Sequence, residues 1–210
     1  MGQFIIRKGS TDFQFVNYAY EKLIREYLRK NLNSFDVFID VGACIGEYCI
    51  WLANKGKTCY AFEPVPKNYD ALKRNVELNN VQSSIHDFNL GLGSSDEKLL
   101  FEVMDTVTGS SRANPNLKSG GVYVPIKRMD DVLPVDVLDG KSRVVMKMDV
   151  EGMEIEVLKG ASDFLSRIDD LRIIYEHTFA GDNSIKSYLL DISEFSFTQL
   201  DEYNIMAKKL

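Results

Sequence analysis

The sequence predicts an α/β protein: a doubly wound, mostly parallel sheet with a C-terminal antiparallel hairpin. Three observations carry this expectation. Short apolar, β-branched runs alternate with segments of helical period along the chain, with no internal repeat or linker. The run Val37–Val41 feeds the turn Gly42-Ala43-Cys44-Ile45-Gly46, and Glu47–Ala53 continues at helical spacing. Two last apolar runs, Phe195–Leu200 and Ile205–Ala207, read as a terminal hairpin.

Composition narrows the class of protein. A chain of 210 residues with 45% hydrophobic and 27% charged residues suits one globular domain with a sizeable core. No apolar run approaches a membrane span, and no basic stretch followed by an apolar core marks a secretion signal. A net charge of −6 argues against a nonspecific nucleic-acid binder. Cys44, Cys49 and Cys59 form no Cys-x-x-Cys pair, so zinc is not expected and a reducing cytoplasm is.

Residues 1–35 read as a cover: a short strand at Phe4–Arg7, then a helix capped by Ser10, Thr11 and Asp12 and running to about Leu32. Val16, Tyr20, Leu23, Ile24, Tyr27 and Leu28 form its apolar stripe. That stripe packs on the sheet edge or roofs a substrate mouth. Residues 36–210 form the main unit. Its second strand, Lys57–Phe62, ends at Glu63-Pro64, about 20 residues beyond the glycine turn, where a carboxylate can accept from both hydroxyls of a ribose. The competing explanation is a packing turn with a surface acid. The two glycines are expected to let main chain approach a bound cofactor.

A helix over Pro66–Asn79 and a strand over Ile85–Leu90 follow, and Asn89 either reads an adenine edge or caps its turn. Strands at Leu99–Val103 and Val122–Arg128 flank the polar stretch 105–121, which is a substrate loop or disordered, with Arg112 and Asn114 as its binding groups. The buried run from Val144 ends in Asp149 and Glu151, with Lys147 just upstream. On a strand these three share a face, so a Lys147–Asp149–Glu151 network is natural. A helix over Met153–Leu165 with a break at Gly160, a strand over Leu171–Tyr175 ending in Glu176-His177, and a helix over 182–190 complete the alternation. Asp40, Glu63, Asn89, Asp149, Glu151, Glu176 and His177 thus all fall at strand ends, where open α/β sheets bind ligands.

Four segments together resemble the FkbM-type methyltransferases: Phe38-Ile-Asp-Val-Gly-Ala-Cys-Ile-Gly46, Ala61-Phe-Glu-Pro-Val-Pro66, Asn75-Val-Glu-Leu-Asn79 and Lys147-Met-Asp-Val-Glu-Gly-Met-Glu154. With Leu158-Lys-Gly-Ala161 the likeness runs from about residue 36 to 177. It implies a Rossmann-like class I fold, S-adenosyl-L-methionine as cofactor, and transfer of methyl to a hydroxyl oxygen. On that reading Gly42, Ala43, Cys44 and Gly46 face the methionine part, and Asp40 holds its amino group directly or through water. Glu63 with Pro64 meets the ribose, Asn89 lies near the adenine, and Asp149 stands beside the methyl.

An alcohol acceptor must lose a proton, which makes Asp149 the first candidate base, with Glu151, Glu154 and His177 behind it. Asp149, Glu151 and Glu176 can instead gather a divalent cation, although nothing in the pattern dictates a metal. A Cys44 nucleophile lacks a neighbouring base. The expected acceptor is a small-molecule, sugar or lipid hydroxyl. An RNA-modifying enzyme and a non-catalytic cofactor-binding module are the rival readings, and neither a basic arm nor an auxiliary RNA-binding domain supports the first of these.

Overall fold

The computed structural model describes residues 2–104, 107–139, 141–177 and 182–210. Its strands are β1 (Val37–Val41), β2 (Thr58–Phe62), β3 (Ile85–Phe88), β4 (Gly91–Leu92), β5 (Glu97–Glu102), β6 (Arg112–Ala113), β7 (Val122–Lys127), β8 (Val144–Met148), β9 (Leu171–Glu176), β10 (Phe195–Gln199) and β11 (Asn204–Lys209). The helices are α1 (Asp12–Val16), α2 (Lys22–Lys30), α3 (Glu47–Ala53), α4 (Pro66–Leu78), α5 (Met129–Val132), α6 (Glu154–Lys159), α7 (Ser162–Arg167) and α8 (Asp182–Ile192).

Seven strands form the main sheet in the order β3-β2-β1-β8-β9-β11-β10. Pairing is parallel from β3 through β9, and β11 runs antiparallel to both β9 and β10, so the expected hairpin is present. The chain reverses its direction of winding between β1 and β8, which puts the switch point at their carboxyl ends.

Alternation along the strands explains what the switch point presents. Val37, Ile39 and Val41 of β1 and Val144, Met146 and Met148 of β8 face one core, shared with α6, α7 and α8. Phe38 and Val145 face the other, shared with α2, α3 and α4. Asp40 and Lys147 sit directly opposite one another in the β1–β8 register. Both therefore project on the α3 side, an acid and a base within a wholly buried pair of strands.

Three sequence expectations change here. The 97–127 strands do not extend the main sheet; β4, β7, β5 and β6 make a separate four-stranded sheet inserted between β3 and β8. Its strands bury one face only, with Phe101, Val124 and Ile126 packed on Val65, whereas β1 and β8 are buried throughout. The N-terminal helix is also broken. Asn17 leaves α1 in extended geometry and its Oδ1 accepts from the N–H of Ala19 (3.0 Å), a local turn that competes with the helix ladder. Residues 4–7 pair with no strand: the N–H of Ile5 is bound instead by Asn75 Oδ1 (2.8 Å) on α4. The break at Gly160 occurs as expected, and the position is reserved for glycine because a Cβ there would lie 1.9 Å from the carbonyl oxygen of Gly93.

Candidate active site

A cleft with about 1100 Å³ of free space, open solvent included, lies at the carboxyl ends of β1, β2 and β8. Its floor is the turn after β1. The N–H groups of Gly42 and Ala43 both bond the carbonyl of Phe62 (2.9 and 3.0 Å), and the N–H of Asp149 bonds that of Val41 (3.0 Å). Gly42 has φ +93°, and a Cβ there would fall 2.1 Å from the carbonyl oxygen of Asp149. The glycine thus serves the β1–β8 approach. Gly46 serves packing, because a Cβ would press on Leu72 of α4 at 3.1 Å. Gly42 also lines the cleft, whereas Gly46 is not among its lining residues.

Glu63, at the tip of β2, is 4% exposed. Its carboxylate accepts from the N–H of Cys44 and the N–H of Val65, each at 2.8 Å. Burial pushes its pKa up to about 7, against the pull of those two donors and Asn68. Pro64 lies beside it in the cleft wall. Asn89 donates to the carbonyls of Glu63 and Pro64 (2.9 and 3.2 Å), tying the end of β3 to the tip of β2.

Asp40 is buried and carries only the Cys49 thiol as a hydrogen-bond donor among the described residues (3.5 Å). Burial raises its pKa to about 6, with Lys147 opposing the rise. Glu47, in the first turn of α3, is raised further by burial and by Asp40, to about 8. Its Oε2 is buried without a hydrogen-bond partner among the described residues.

On the β8 side the charges are paired. Lys147 Nζ lies 3.0 Å from Asp149 Oδ2 and 3.5 Å from Glu21 Oε1, and 5.4 Å from the centre of the Tyr48 ring. Burial opposes its charge, but Asp149 and Glu21, with Tyr48 and Asp40 behind them, outweigh it and raise the pKa. Tyr48 donates to the other Glu21 oxygen (2.8 Å). The expected third member of this network, Glu151, is displaced: β8 ends at Met148, and Glu151 turns away with φ 51°. Glu151 still lines the cleft beside Glu176, its pKa pushed up to about 7 by burial, Asp149 and Glu176. His177 is not among the cleft-lining residues; its Nε2 lies 3.1 Å from the carbonyl oxygen of Glu202. Glu154 is 1% exposed beneath the β8 loop and does not reach the lining.

Glu21 is the site residue that periodicity could not find. It precedes α2 in the left-handed region (φ 45°), a conformation its neighbours must enforce. The buried Arg25 does so, bonding the carbonyls of Phe15 (2.6 Å) and Tyr20 (3.1 Å) and stacking on Tyr48 at 4.9 Å. The same segment roofs the cleft with Thr11, Gln14, Phe15 and Tyr20. Residues Val107–Ser111 meet it there: the N–H of Thr108 donates to Thr11 Oγ1 and its hydroxyl to Asp12 Oδ1, both at 3.0 Å. Asp12 is in turn held by Arg7 at 2.8 Å. Arg112 and Asn114 point elsewhere, to Glu102 (3.6 and 3.3 Å), while Asp105 and Thr106 of this stretch lie outside the described residues.

A parallel seven-stranded sheet in this order, with one reversed strand near its edge, a glycine turn after β1 and an acid at the tip of β2, is the class I methyltransferase fold. Residues 40–203 match the methyltransferase FkbM domain, and the chain belongs to that family of methyltransferases, whose cofactor is S-adenosyl-L-methionine. The chain is 32% identical over 187 residues to methyltransferase sdnD of Sordaria araneosa, covering 70% of this chain and 72% of that protein. It is 29% identical over 135 residues to the hexuronic acid methyltransferase AglP of Haloferax volcanii, covering 64% and 53%. Among solved structures, the FkbM methyltransferase of Methylobacillus flagellatus KT superposes with a TM-score of 0.58 at 18% identity, over 96% of this chain and 56% of that one. The chain therefore spans just over half the length of that structure. Magnesium protoporphyrin IX methyltransferase from Synechocystis PCC 6803, solved with bound S-adenosylmethionine, gives 0.54 at 15% identity, over 100% and 87%.

The residues fit such a cofactor on chemical grounds. Asp40, Glu47 and Glu63 are buried acids whose ionisation burial opposes, gathered beside a cleft with Lys147 as the cation near them. A ligand carrying an ammonium, a sulfonium and a ribose diol supplies what these carboxylates lack. Among the described residues no group of three or more His, Cys, Asp or Glu is arranged to hold a metal ion, and no helix is long and apolar enough to cross a membrane.

Proposed function

We propose that the chain methylates a hydroxyl oxygen on an uncharged small molecule, sugar or lipid, with Asp149 as the base. The observation that carries this reading is the Lys147–Asp149 pair at the switch point. Lys147 Nζ holds Asp149 at 3.0 Å, while the Asp149 side chain keeps 26% of its surface exposed and open to an acceptor. S-adenosyl-L-methionine, when bound, supplies an electrophilic methyl group on sulfonium. Glu63 would hold the ribose hydroxyls, and Gly42 and Cys44 of the turn would line the methionine end. Asp149 takes the acceptor's proton as its oxygen gains the methyl group, leaving the acid neutral next to Lys147 until solvent removes the proton. Phe15 and Tyr20 in the roof exclude water and orient the acceptor.

The charge of the cleft supports a neutral acceptor. Glu21, Asp40, Glu47, Glu63, Asp149, Glu151 and Glu176 line it, against Lys147 as the one cation among the described lining residues. An anionic acceptor would meet like charge on several sides. The test is a labelled-methyl screen of polyols, sterol-like and polyketide alcohols, uronic acids and RNA. Label on neutral alcohols supports the proposal; label confined to carboxylates or RNA rejects it.

A further inference from the structure

The orphaned oxygen of Glu47 has no part in the chemistry above. Glu47 is 7% exposed, lines the cleft, and leaves Oε2 without a partner among the described residues. A buried carboxylate oxygen in that state carries its full desolvation penalty, so the folded chain holds it there at a cost. Asp40 next to it is better provided for, with the Cys49 thiol on Oδ2 and Lys147 opposite in the register.

We infer that Glu47, rather than Asp40, is the residue that receives the ammonium group of the amino-acid end of the cofactor. This rests on the cofactor reading above and assigns its amino-acid subsite. Glu47 lines the cleft with Gly42 and Cys44 of the β1 turn, whereas Glu63 lines it at the β2 tip. One acid then answers each end of the ligand: Glu63 the diol, Glu47 the ammonium. Asp40 contributes charge from behind.

Proton release provides a second signature. Asp40 of β1, Cys44 of the turn, Lys147 of β8, and Tyr20 and Glu21 of the roof all act on Glu47 or are acted on by it. Burial first, and then Asp40, leaves Glu47 largely protonated at neutral pH. An ammonium docked on Oε2 favours the ionised form, and the displaced proton goes to the buffer.

Two probes separate this role from a structural one. S-adenosylhomocysteine has the amino-acid end; 5′-methylthioadenosine has the nucleoside but no ammonium. In calorimetry, Glu47→Gln should weaken S-adenosylhomocysteine about 10–100-fold, as for a lost hydrogen bond between charged groups, and leave methylthioadenosine unchanged. In buffers of different ionisation enthalpy, the wild type should release more protons to S-adenosylhomocysteine than to methylthioadenosine near neutral pH. That measurement decides the matter if the variant does not fold. Equal losses for both probes, no loss for either, or no excess proton release would each overturn the assignment. A wild type that binds neither probe would instead bring down the cofactor reading, and this one with it.

Discussion

The two halves of the cleft solve the problem of buried charge in opposite ways. Around the tips of β1 and β2, Asp40, Glu47 and Glu63 are sequestered, and burial drives their pKa values to about 6, 8 and 7. Beyond β8 the acids keep a resident counter-ion: Lys147 bridges Asp149 and Glu21. On the proposed function, the first half answers a cationic guest that arrives from outside. The second carries its own cation, and its Asp149 remains within reach of solvent. On that reading, binding and chemistry fall to neighbouring strands that share Lys147, which opposes the rise at Asp40 and pairs with Asp149.

The contrast can be broken most sharply at Asp149. Asp149→Asn keeps the shape and removes the base, so kcat should fall ~10²–10⁴-fold while affinity for S-adenosylhomocysteine holds. Steady-state kinetics beside calorimetry reads both, and an unaltered kcat would remove Asp149 from the chemistry. The reverse pattern is expected at Glu63. Glu63→Gln loses charge-assisted acceptance and leaves one main-chain N–H poorly served, so affinity for methylthioadenosine and for S-adenosylhomocysteine should drop together, about 10–100-fold.

A third prediction concerns stability against pH. The folded values of Asp40, Glu47 and Glu63 lie above their ordinary values of 3.8, 4.5 and 4.5. The native state therefore keeps protons that the unfolded chain has released. Stability from these groups is complete below those ordinary values and drains away as pH climbs to about 8. The melting temperature of the unliganded protein should decline between about pH 5 and pH 9, at about 2–4 °C per kcal/mol for this size. Glu47→Gln should flatten the upper part of that decline, and a flat wild-type curve would contradict the buried-acid description. The smallest effect is expected in the roof: Thr108→Val deletes the hydroxyl donor to Asp12, about 1 kcal/mol, and should raise KM a few-fold with kcat unaltered. Faster proteolytic nicking within 105–121 would report the same loosening.

The main sheet could be read from sequence because its strands are buried on both sides, and an uninterrupted apolar run survives any tertiary context. Glu63 and the Lys147-Asp149 pair were legible for the same reason: charged residues at the ends of such runs have one place to go. Glu21 was not. Its position depends on the turn at Asn17, on a left-handed backbone and on Arg25 reaching two carbonyls, none of which leaves a period in the sequence. Glu151 was misplaced because the strand geometry assumed for it stops at Met148. His177 shares the strand-end address of the site acids, yet its ring nitrogen is drawn to the 201–203 turn across the β9–β11 pairing. The separate small sheet shows a related limit: half-buried strands announce pairing without announcing which sheet they join.

The roof joins parts of the chain that are made far apart in time. Asp12 and Thr108 are 96 residues from one another, so at a translation rate of about 5–20 residues per second the leading segment waits several seconds for its anchor. Throughout that interval the growing polypeptide carries Phe15 and Tyr20 without the loop that shields them. That anchor is in place on the chain before β8, the strand that completes the site, has been made.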